Sequence, residues 1–262
     1  MKPVSKKITL FSVLSFCVLL ACTKNVHHDG TGTSSTSLSL SGSSVKRGEP
    51  LVATAPAGIS SAIKWSVSPS SLAHVTTGSG QAMFLFAGSG TYHVTASYPS
   101  ADGKSTDSAT SPITVSEETY TGPTNYGDTV DLAGDQVSLT PISDPTHGLV
   151  LLAQSTKKYN CLPTFIGWSL AGPDLSTGIS LKFWKVAEGD IYGKGDCNGG
   201  TNQAASYLFF AQPQPFANGA YPFSVTLNNV TYQGTLTVTD QSFAFSWSYD
   251  SGVTISPKQI SR

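Results

Sequence analysis

Short runs in which every second residue is apolar, each run closed by turn formers, constrain this chain more than any other feature. Phe243, Phe245, Trp247 and Tyr249 alternate with Ala244, Ser246 and Ser248, and Phe223, Val225 and Leu227 alternate with Ser224 and Thr226. A period of two sends alternate side chains to opposite faces of a strand, so each run reads as a half-buried β-strand. Asn228 and Asn229 make a tight hairpin turn between two such runs, because Asn tolerates positive φ. Val230, Tyr232, Leu236 and Val238 are expected on the next inward face, Asp240 and Gln241 turn the chain again, and Val253 and Ile255 close the set. The pattern predicts an antiparallel meander with one buried and one wet face. Residues 149–153, 165–170, 179–187 and 207–211 supply further strands.

The same period runs through the upstream half. Leu38 and Leu40, then Ile63, Trp65 and Val67, then Tyr92, Val94, Ala96 and Tyr98, then Ile113 and Val115 share inward faces, with His93 pointing outward. Residues 82–87 are apolar on both faces. Gly, Pro, Ser and Asp clusters punctuate these runs, and about seven short strands in about eighty residues argue for a sandwich. The expected fold is all-β, with two antiparallel β-sandwich domains at 37–117 and 129–262 joined by a linker at 118–128 that holds Gly122, Pro123 and Gly127. At 39% hydrophobic the chain can build such cores, whereas 12% charged residues, about half the usual share, exclude coiled coils and long exposed helices.

The N-terminus reads differently. Lys2, Lys6 and Lys7 precede an apolar stretch at 8–21 that is too short to span a bilayer but right for the core of an export signal. It ends in Leu19, Leu20, Ala21 and Cys22, which resembles the lipobox of bacterial lipoproteins. That resemblance implies cleavage of a signal peptide at 1–21 and acylation of Cys22, and with it a lipid-anchored protein of the bacterial cell envelope; the expected location is the outer membrane, surface-exposed, with the inner membrane as the open alternative. Residues 22–36, rich in Ser, Thr and Gly, read as a flexible tether. Loss of the three signal lysines leaves 12 basic against 16 acidic residues, so no nucleic-acid partner is expected. Trp65 and the stretch Gly90, Thr91, Tyr92, His93, Val94 resemble immunoglobulin-like and PKD-type modules of bacterial surface proteins. In those modules a Trp packs across the core and a Tyr bonds back to the chain. Val94 stands where antibody domains have a Cys, and 67–70 replaces the acidic glycine-rich turn of PKD modules. The resemblance implies a spacer or binding module without chemistry.

Cys161 and Cys197 remain once Cys17 leaves with the signal and Cys22 takes lipid, and in an exported protein such a pair is expected to form a disulfide. The stretch 188–203 carries five glycines with Tyr192, Asp196 and Asn198, and a long loop pinned by Cys197 is a candidate ligand surface. Asp196 and Asn198 have the spacing that opens a calcium loop, but Gly200 follows at the next ligand position and no Glu stands at the twelfth, so no metal or cofactor is expected. On the preceding strand, Ser180, Lys182, Trp184 and Val186 share one face and Ile179, Leu181 and Phe183 the other. An exposed Trp184 beside Lys182 would stack on a sugar ring or anchor a protein partner. Asp144, Thr146 and His147 lie close in sequence, yet no nucleophile elbow, zinc helix or phosphate loop accompanies them. The expectation is a non-catalytic module that binds an extracellular glycan or protein. The alternatives are a spacer without a ligand and a lipid-anchored hydrolase of extracellular polysaccharide.

Overall fold

The computed structural model describes residues 37–262 apart from 60–62, 79, 101, 123–127, 189–201 and 211–215. All regular structure among these residues is strand, and Ser35–Arg262 forms one compact unit. Eight strands build the first sandwich: β1 (Ser39–Leu40), β2 (Ser44–Arg47), β3 (Leu51–Thr54), β4 (Lys64–Ser68), β5 (Ala73–Thr77), β6 (Gln81–Phe86), β7 (Gly90–Pro99) and β8 (Thr106–Thr119). One sheet runs β1-β3-β6-β5 and the other β2-β8-β7-β4. Phe84, Phe86, Tyr92, Val94 and Ile113 meet between them. Trp65 packs edge-on against Phe84, and the Tyr92 hydroxyl donates to the Gly88 carbonyl at 3.1 Å.

The second sandwich follows with β9 (Asp128–Val130), β10 (Val137–Asp144), β11 (Gly148–Tyr159), β12 (Thr164–Asp174), β13 (Gly178–Glu188), β14 (Asn202–Phe209), β15 (Gly219–Leu227), β16 (Val230–Val238), β17 (Ser242–Ser246), β18 (Val253–Ile255) and β19 (Gln259–Ser261). Its sheets run β14-β11-β10-β18 and β12-β13-β15-β16-β17-β19, with β9 paired to β13. The meander β15-β16-β17 is antiparallel as its alternation predicts, and Phe243, Phe245 and Trp247 are buried. Gly234 makes room for Trp247, since a Cβ there would lie 2.7 Å from the indole.

Two expectations are corrected. Val253 and Ile255 do not close the meander: they cross to the opposite sheet, where β18 runs parallel to β10, and the Trp247 indole N–H donates to the Val253 carbonyl at 2.9 Å. Val230 is not inward but 53% exposed, because it follows the hairpin turn directly and lies at the very end of its sheet.

The doubly apolar run 82–87 finds its explanation in how the sandwiches meet. Phe84 and Phe86 point into the first core, while Met83, Leu85 and Ala87 pack against Val150 and Leu152 of β11, Leu162, and Ala205 and Tyr207 of β14. Strand β11 is likewise apolar on both faces, sending Leu149, Leu151 and Ala153 into the second core. Both strands belong to inner layers of a stack of four sheets. Arg47 and Asp144, 1% and 3% exposed, close one side of this interface with a 3.2 Å ion pair. The Arg47 Nε donates to the Ala87 carbonyl at 2.6 Å and its guanidinium lies 4.7 Å from the Phe209 ring centre. Burial pulls Arg47 below its ordinary pKa, and the charge of Asp144 opposes that shift. His147, in the turn between β10 and β11, places Nδ1 2.8 Å from Asp144 and Nε2 2.9 Å from Glu117 of the first sandwich. The Gln154 amide donates to His74 Nε2 at 3.3 Å across the same interface.

Two outcomes follow for stability. Asp144→Ala strands a buried guanidinium and is expected to cost about 3–5 kcal/mol in urea unfolding. Burial holds His74 below the ordinary 6.5 of imidazole, so the unfolded chain takes up a proton that the folded protein resists. Stability from this group is complete above about pH 6.5 and falls as pH drops toward the depressed folded value. His74→Gln should therefore lose less stability than the parent between about pH 7.5 and about pH 5.5 in the same unfolding assay.

Candidate functional site

Strand β13 positions the site. Along one edge it pairs with β12, and along the other it is shared: β15 runs parallel to Ile179, Ser180, Leu181 and Lys182, while β9 pairs with Val186, Ala187 and Glu188. Residues 183–185 fall between these two partners. There a cleft of about 470 Å³ opens, lined by Asp131, Leu132, Ala133, Lys182, Phe183, Trp184, Asn228 and Asn229. The chain leaving β9 forms one wall and the β15–β16 turn the other. Asn228 ties them together by donating from its side-chain amide to the Leu132 carbonyl at 2.7 Å. Asn228 and Asn229 have φ of 52° and 61°, the left-handed pair expected of this hairpin.

Trp184 stands at a β-bulge. Gly167 pairs with Lys185 and Trp168 with Phe183, so Trp184 is the extra residue of β13. A bulge breaks the period of two and re-aims the side chain at its apex. Ile179, Leu181 and Phe183 are buried and Lys182 and Trp184 exposed, as the alternation predicts, but Val186 is fully buried rather than sharing the face of Trp184. The bulge resets the parity between them. The indole lies across bare backbone: a Cβ at Gly167 would sit 3.0–3.2 Å from three contiguous ring atoms, and the side chain stays 37% exposed.

Of the residues singled out in the sequence, Trp184 and Lys182 are brought together in the cleft. Tyr192, Asp196, Asn198 and Cys197 lie outside the described residues, as does Cys22. Cys161 is disulfide-bonded, to a partner that also lies outside them. Asp131, Asn228 and Asn229 were not legible as site residues, since the asparagines read as turn formers and Asp131 stands in no pattern that singles it out. The parallel pairing of β13 with β15 brings the asparagines to Trp184, the pairing of β9 with β13 brings Asp131, and no local pattern announces either. Asp144 and His147 are committed to the interface, where Asp144 also accepts the Thr146 N–H at 2.9 Å. Among the described residues, no three His, Cys, Asp or Glu side chains are grouped to hold a metal.

The cleft offers an aromatic surface, a carboxylate, an ammonium and primary amides around one concavity. Gly167→Val should push the indole outward and raise acrylamide quenching of tryptophan emission, an increase absent in the Trp184→Phe background. No protein-family model matches this chain, and no curated protein matches it.

Proposed function

We propose that the protein is a bacterial cell-envelope lipoprotein, held by acyl chains on Cys22, that presents two packed β-sandwiches and binds an extracellular ligand without catalysis. The observation that carries the binding role is the cleft at Trp184, where an aromatic ring left partly exposed sits among polar side chains. Small-molecule sites are concave and combine apolar surface with a few convergent polar groups. The spacer role of the first sandwich is supported by the packing of Trp65 and by the bond from Tyr92 back to Gly88. The anchor rests on the signal-like leader and on Leu19, Leu20, Ala21 and Cys22. Two or three acyl chains, at about 0.8 kcal/mol per buried methylene, hold a protein stably on a membrane.

Cells expressing the full chain and fed radioactive palmitate should yield a labelled protein, and Cys22→Ser an unlabelled one. The purified Cys22→Ser protein, which carries no acyl chain, should sediment with isolated, protein-containing envelope material, and adding Trp184→Ala to it should abolish that association while leaving the unfolding temperature unchanged. Equal sedimentation of the two proteins would remove the cleft from the proposal.

A further inference from the structure

Resting on the reading that the Trp184 cleft is the ligand site, we infer that it takes an uncharged saccharide. Size is the first argument. About 470 Å³ lies within the range of small-molecule pockets, whereas a stable protein contact needs about 800 Å² on each partner. Rigidity is the second. The indole is braced from beneath by Gly167 and held at a bulge, so little side-chain freedom is lost when a ring settles on it. The C–H face of a pyranose is the complement of such a surface, apolar on its flat side and polar around its rim.

The polar lining supplies the third argument. Asp131 accepts, Lys182 donates and Asn229 does both, and among the described residues the side chains of these three make no hydrogen bond to the protein. Sugar hydroxyls both donate and accept, and they satisfy such a mixed set where a carboxylate or sulfate could not. One acid and one base leave the lining without net charge, which disfavours a polyanion. Three of the four large apolar side chains exposed among the described residues, Val130, Trp184 and Val230, line the cleft or adjoin its lining residues in sequence. Of these three, Trp184 lines the cleft and supplies the apolar surface that a sugar's C–H groups would cover.

The test applies the purified full-length protein to an array of neutral linear oligosaccharides with sulfated and uronic-acid counterparts, followed by titration of any hit against tryptophan emission. Binding to at least one neutral oligosaccharide is expected, lost in Trp184→Ala, retained in part in Trp184→Phe, and weakened about tenfold or more in Asp131→Ala. Affinity should change little with added salt, because the ligand carries no charge to screen. Binding confined to sulfated or acidic glycans, or steep salt dependence, would overturn the inference. So would an array silent throughout while the Trp184-dependent association with protein-containing envelope material persists; that result points to a protein ligand and leaves the proposed function standing. Loss of both signals' dependence on Trp184 would remove the two together.

Discussion

The fold depends on two strands that have no wet face. Strands β6 and β11 present apolar side chains on both sides, and each would expose a row of them to water if its sandwich stood alone. Exposed apolar rows of that kind favour association, and here the association is internal. The inner sheets meet face to face and the buried Arg47–Asp144 pair closes the margin. Such a pair adds little net stability over apolar packing, but a charge left without its partner is heavily penalised. In this placement of the sheets both charges are satisfied, Arg47 donating to the Ala87 carbonyl as well as to Asp144.

The cleft is a consequence of sheet irregularity in the outer layer. A regular β13 flanked by one continuous partner on each edge would bury or splay Trp184 like any strand residue. The shared edge, with β15 and β9 covering different parts of β13, opens the concavity, and the bulge sets Trp184 beside it with the indole resting over Gly167 of β12. Bulges gather beside functional sites because one added residue redirects a side chain without disturbing the core.

Legibility in the sequence followed locality. The class was readable because a period of two is a local property: the rows ending at Tyr249 and Tyr98 could bury one face only as strands. The run 82–87 was readable as apolar on both faces, yet nothing near it in sequence said that β11 and β14 would cover the second one. Strand β10 escaped notice because Pro141 takes the next position in the alternation after Val137 and Leu139, and proline usually marks an edge. Val186 was misplaced by the bulge, which depends on how β12 pairs and so lies beyond any pattern within β13. Trp184 and Lys182 were readable as an exposed pair, while Asp131 and the two asparagines reached the site through long-range pairing.

The bond from Asn228 to the Leu132 carbonyl joins residues 96 apart in the chain. Each wall of the pocket is thus contributed by a different end of the second sandwich, and neither wall exists on a fragment. A polypeptide emerging N-terminus first carries Trp184 before it carries the hairpin that completes the enclosure. The enclosure is consequently a property of the completed sandwich, present once β9, β13 and the β15–β16 hairpin have all paired.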